Sequence, residues 1–206
     1  MDGQEYLNQI ASTVRPVKQS GNKAGFLKSP LVKVAGIGLA LLIVIMIVGM
    51  ALGGSGGGIK EKTTRLLLHI NATTEVISEY QPLLKSSSLR SSSASLSSVL
   101  SNTSRDLAEY MVAKYDYKEN SVEKALTEEA TLHKDEIEND LFNAKINGNL
   151  DRIYAHKMAY EISLISASES EIYNDSSDES LRNVLNTSYQ SLENLYSLFD
   201  DFSETK

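Results

Sequence analysis

The chain of 206 residues contains no cysteine. That excludes a disulfide framework, a thiolate zinc site, an iron–sulfur cluster, covalently attached haem, a thiol nucleophile and a lipidated N-terminal cysteine. It leaves the redox compartment open, since a cysteine-free chain is at home on either side of a membrane. Positive charge is scarce where a nucleic-acid partner would need it. From Ile59 onward fifteen Lys and Arg stand against twenty-five Asp and Glu, within a whole-chain net charge of −7. Phosphate binding needs clustered cations to release counterions, so this balance argues against nucleic acid. Phosphate-cradling loops are missing as well, because no Gly-x-x-x-x-Gly-Lys-Ser/Thr run occurs. The run Gly53-Gly-Ser-Gly-Gly lies beside an apolar stretch, not at the strand-to-helix elbow of a hydrolase. No catalytic residue and no cofactor is read from these patterns, and the chain is not expected to be an enzyme.

One long apolar run is present. Residues 31–52 read LVKVAGIGLALLIVIMIVGMAL, with Lys33 the only charge. Its uncharged part, Val34–Leu52, approaches the ~20 residues that a helix needs to cross a hydrocarbon core. Inside lipid every backbone polar group must be satisfied locally, so a helix is the expected form. The run exceeds the 7–15 residues of a cleaved signal's apolar region, which makes an uncleaved signal anchor the expectation. Lys23, Lys28 and Lys33 precede the span, and cytoplasmic flanks carry the excess of Lys and Arg. A cytoplasmic N-terminus with the C-terminal domain outside follows, at the cell membrane. Gly49 and Gly53 form a small-xxx-small pair through which two spans can approach closely, although Gly53 also opens a flexible tether.

Four regions result. Residues 1–30 form a short basic segment, mostly without fixed structure, and residues 31–52 the span. Residues 53–58 form a Gly/Ser linker, and residues 59–206 an all-α antiparallel bundle of four to five helices. In the last region apolar or small residues recur at helical spacing: 59, 63, 66, 70, 73, 77 and 80, until Pro82 stops the first helix. A second stripe follows at Leu89, Ser93, Leu96, Leu100, Thr103, Leu107, Tyr110 and Met111. It holds its spacing through the serine-rich stretch Ser86–Ser104, which therefore reads as helix. Asn120-Ser121 is placed to cap a third helix with Leu126, Ala130, His133, Ile137, Leu141 and Ala144 on one face. Asn147-Gly148-Asn149 then reads as a stop and a restart, with Gly148 in the left-handed position and Asn149 capping the next helix. After an acidic break at 174–178, Leu181, Leu185, Ser188, Leu192, Leu195, Phe199 and Phe202 give the cleanest repeat in the chain.

Candidate chemistry is sparse. His69, His133 and His156 are the three histidines. None lies three residues after a Glu, as a carboxylate-bridged di-metal site would require. His133 nevertheless sits on an apolar face, with Glu129 one turn before it, and Glu161 falls near the apolar register of the following helix. These three are the candidate metal ligands. Acidic pairs such as Glu128-Glu129, Asp175 with Asp178, and Asp200-Asp201 lack the spacing of a calcium loop and read as solvated faces. Tyr110, Tyr115 and Tyr117 read as half-buried packing near the end of the second helix.

The run Gly148-x-Leu150-Asp151-x-x-Tyr154-x-x-x-Met158 is followed by a long helix, the acidic break at 175–178 and Leu181-Arg182. On these residues the stretch 141–202 resembles a family of uncharacterised bacterial envelope proteins with a ferritin-like helical bundle. In that family an aromatic residue stands where Leu150 does, and histidines often follow; Glu161 and Asn194 occupy about those places here. The resemblance implies that Gly148 opens a bundle helix, and that a metal role belongs to this part of the fold. The layout as a whole resembles single-span surface proteins of small-genome bacteria.

Together these readings give an expectation: a membrane-anchored helical bundle serving as a binding or structural component of the cell envelope. The lipid bilayer is its first partner, a surface protein its second, and a second copy of the chain a third. A ferritin-like metal or redox bundle using His133, Glu129 and Glu161, or an accessory subunit of a larger membrane complex, are the alternatives.

Overall fold

A computed structural model describes residues 58–118 and 124–204. The basic segment, the apolar run with Gly49 and Gly53, the flanking Lys23, Lys28 and Lys33, and the cap at Asn120-Ser121 lie outside them. Among the described residues no helix is long and apolar enough to cross a membrane.

The described residues form five α-helices, a short 3-10 turn and no strand. They are α1 (Ile59–Tyr80), α2 (Ser87–Tyr115), α3 (Lys124–Ile146), α4 (Leu150–Asp175) and α5 (Glu179–Glu204). The boundaries have local causes. Pro82 sits in the turn that ends α1, where its missing N–H and fixed φ disfavour further α-helix. Ser86 caps α2, its hydroxyl accepting from the Leu89 N–H at 3.3 Å. Gly148 has φ +74. Its N–H donates to the Lys145 carbonyl, and the Asn149 N–H to that of Ala144, which is the Schellman closure of α3. Asn149 holds the cap position of α4, but its side chain makes no capping bond. At the acidic break, the Asp178 carboxylate accepts from the Ser180 and Leu181 N–H groups and starts α5.

Contacts between the helices define a four-membered ring. Helix α1 packs on α2 and α4, and α5 packs on α2 and α4. Neighbours in the ring are antiparallel. Lys62 meets Glu171 and Asp175 while His69 meets Glu161 across α1 and α4. Thr103 meets Ser188 while Lys114 meets Asp178 across α2 and α5. Ser93 and Tyr154 reach each other across the diagonal through a buried hydrogen bond of 2.5 Å. The ring's interior is filled by Leu66, Ile70, Ile77, Leu96, Leu100, Leu107, Tyr154, Met158, Ile165, Leu192 and Phe199, all essentially sealed from water. Burying each such side chain contributes roughly 1.5–3 kcal/mol before chain entropy is counted.

Helix α3 is the exception. It does not follow α2 into the ring. Instead it lies outside, packed on α1 and α4. It runs parallel to α1, since Arg65 pairs with Glu129 and Tyr80 with Glu138 further along both helices. Its buried residues are four, Leu126, Ile137, Leu141 and Ala144. The position of α3 makes α1 and α4 the most enclosed helices. Each has three neighbours, and each is buried over most of its circumference. That enclosure buries Glu161 of α4 between its neighbours.

Candidate metal centre

Three side chains from three helices converge where α3 meets the ring: His69 of α1, His133 of α3 and Glu161 of α4. His69 Nε2 lies 2.7 Å and His133 Nε2 2.9 Å from the same oxygen, Oε2 of Glu161. The two imidazoles meet edge to face, their centroids 4.8 Å apart. Glu161 is 1% exposed, whereas His69 and His133 are half-buried. The carboxylate therefore sits at the bottom of the cluster and the imidazoles form its rim.

Local sequence explains the convergence. Glu161 lies inside the run Ala159–Ala167 of α4, where all but Tyr160 are buried. A carboxylate there must be paired, because an unpartnered buried charge is strongly unfavourable. Burial pushes the Glu161 carboxyl up, but the hydrogen bonds from His133 and His69 outweigh it and hold the group at about 2. It is thus ionised and only accepts, so each Nε2 carries the donated proton. In return the bond to Glu161 raises His133 above the usual imidazole range against the effect of burial; Glu136 adds to the rise and Lys157 opposes it.

The structure brings together two of the three residues that the sequence nominates, His133 and Glu161, and supplies a different third. Glu129 turns away to an ion pair with Arg65, which is also held by Glu61 at 3.2 Å. Its place is taken by His69, which lies beside the stripe first read on α1. The remaining histidine, His156, is exposed on α4. A signal for His69 does exist in the sequence: it precedes Thr73 of the stripe by one turn, on a flank that carries Ala72 and Val76, both buried.

Two imidazole nitrogens and one carboxylate oxygen, all within 4.8 Å of one another, form a donor set for a transition-metal ion. Neutral imidazole with carboxylate suits zinc and its neighbours, whereas calcium and magnesium require mostly oxygen ligands. Bond lengths of about 2.0–2.2 Å place tetrahedral ligand atoms roughly 3.3 Å apart, so an ion would widen the two N···O separations by about half an ångström. Three protein ligands would leave a further position for water or another ligand on a bound ion.

A second buried carboxylate behaves differently. Glu169, two turns further along α4, is 1% exposed, and neither of its oxygens has a hydrogen-bond partner or measurable contact with solvent. Burial pushes it up to about 8, with nearby Ser188 pulling weakly the other way. A cleft of about 120 Å³ between Tyr173, Leu185, Asn186 and Tyr189 lies against it. Tyr110 and Tyr115 stack edge to face, with centroids 6.2 Å apart, at the end of α2 as packing residues.

No protein-family model, curated protein or solved structure matches this chain.

Proposed function

We propose that the chain is a single-pass, membrane-tethered protein whose helical body lies outside the cytoplasm and binds one transition-metal ion at His69, His133 and Glu161. The observation that carries the metal reading is the shared oxygen: two imidazole nitrogens from separate helices converge on one carboxylate buried to 1% exposure. With both imidazoles neutral and their protons moved to Nδ1, so that each Nε2 offers a lone pair, the cluster carries one negative charge, and a divalent ion would convert it to one positive. The ion relieves the cost of a buried carboxylate without introducing a second buried anion.

The tether rests on Val34–Leu52, whose length and composition suit a bilayer, with Lys23, Lys28 and Lys33 favouring a cytoplasmic start. Confinement near the membrane raises the effective concentration of the body toward surface neighbours. Gly49 and Gly53 are the positions through which two spans would pack, giving self-association or docking on a membrane subunit. The role is binding or structural within the envelope, with zinc as the best-fitting ion.

The test is calorimetric titration of zinc into the full-length, detergent-purified chain after chelator treatment. About one zinc per chain is expected, lost in His69→Ala, His133→Ala and Glu161→Gln and retained in Glu129→Gln. Absence of binding in the unsubstituted protein would overturn the metal reading. Extraction of the protein from membranes by alkaline carbonate would overturn the tether.

A further inference from the structure

The two halves of α3 are held by different forces. In the C-terminal half, Ile137, Leu141 and Ala144 enter the central apolar cluster. Tyr80 donates to the Glu138 carbonyl at 3.0 Å, and the Gly148 turn joins this end directly to α4. In the N-terminal half, residues 124–136, the one buried side chain is Leu126, and it stands apart from that cluster. What holds this half is polar: Arg65 with Glu129, His133 with Glu161, and Lys134 with Glu75 at 2.5 Å. Leu132, beside His133, is 70% exposed. Water and salt compete with the Arg65–Glu129 and Lys134–Glu75 pairs, whose carboxylates are half-exposed, and such pairs contribute little; the His133–Glu161 bond alone reaches a buried group. Segments held in this way open at far lower free energy than an apolar core.

The metal ligands are divided along the same line. His69 and Glu161 belong to the ring and stay in place together, and His133 alone belongs to the weakly held segment. We infer that metal occupancy sets the docking of residues 124–136: the ion latches this half of α3 onto α1 and α4, and its loss lets the half open locally. The inference rests on the metal-binding reading above and adds regulation to the same site. Without an ion, His133 contributes one hydrogen bond to Glu161, and His69 supplies a second to the same oxygen that stays when α3 opens. With an ion, His133 contributes a coordinate bond bridging three helices. The conformational consequence is uncovering of the surface around His69 and Glu161, which α3 covers in the docked state.

Hydrogen exchange measured by mass spectrometry on the full-length, detergent-purified protein tests this, with zinc binding followed calorimetrically in the same preparation. Zinc at one hundred times its Kd is expected to slow exchange in 124–136 by about tenfold or more. Exchange in 137–146 and in α5 should stay unchanged. Arg65→Ala should speed exchange in 124–136 of the metal-free protein, showing that the segment is held by polar contacts. His133→Ala should abolish the zinc effect on 124–136. Zinc binding with no change in 124–136, or with uniform slowing across all helices, would overturn the latch while leaving the metal site standing. No zinc binding at all would overturn both.

Discussion

Helix α4 meets α5 and α3 through seams of opposite character. Toward α5 it sets Tyr154 against Phe199, with ring centroids 6.4 Å apart, in a core shared with Met158, Ile165, Leu192 and Leu195. Toward α3 it offers Glu161 to His133 and Lys157 to Asp140, with Ile137 and Leu141 as the apolar contribution of α3. The first seam is non-directional, and it gains free energy in proportion to the area removed from water. The second depends on matched partners, and each loses its value when the other is absent. The fold therefore keeps its stability in the ring and has its candidate site where the attached helix meets that ring.

The largest effect should come from the apolar seam. Phe199 is fully buried, so Phe199→Ala removes a large side chain and leaves a cavity, at a cost of about 3–5 kcal/mol. Leu132→Ala, on the exposed side of α3, should change stability by less than about 0.5 kcal/mol. Urea unfolding of both variants checks the contrast. Similar losses would mean that α3 is as deeply integrated as α5.

Next comes Glu169, the buried carboxylate without a hydrogen-bond partner. Its titratable neighbour is Tyr189 on α5, which its charge helps to raise, and Ser188 is its nearby hydroxyl. Its folded pKa, about 8, is above the unfolded value near 4.5. The native state thus keeps a proton that the unfolded chain releases, and the associated stability is full below about pH 4.5. It is lost as the pH rises toward 8, by up to roughly 1.4 kcal/mol per unit, and levels off above that. Glu169→Gln should flatten this part of the profile and stabilise the protein at pH 8 by a few kcal/mol at most. Denaturation midpoints between pH 5 and 9 are the measurement. An unchanged slope in the variant would show that Glu169 is ionised and solvated.

How much of this was legible before the structure depends on which force acts. The repeat from Leu181 to Phe202 marks α5 because a helix with one dominant buried face writes that face as a 3–4 period. The Asn147-Gly148 stop is equally plain, since a left-handed position selects glycine. Helix α1 is harder. Its stripe at 59, 63, 66, 70, 73, 77 and 80 captures one face, yet Thr64, Leu67 and Val76 are buried as well. A single sequence carries no count of a helix's neighbours, and α1 has three. His69 lies beside that stripe, so the stripe does not mark it. Glu161 was visible as a carboxylate within an apolar register. Glu129 shared a helix turn with His133, but the partner it takes, Arg65, is remote in sequence and cannot be inferred from spacing.

The smallest predicted effect concerns that same pair. Arg65 and Glu129 join α1 to the N-terminal half of α3, and both are partly exposed. A double-mutant cycle with Arg65→Ala and Glu129→Ala should give a coupling of about 0.2–1 kcal/mol, diminishing as salt rises. Its size matters less than its salt dependence. A polar seam must weaken when ions screen it, whereas the Phe199→Ala loss should persist at high salt because burial of a ring has no charge to screen. A coupling that is insensitive to salt would place Glu129 in a dry, rigid contact and remove the distinction between the two seams of α4.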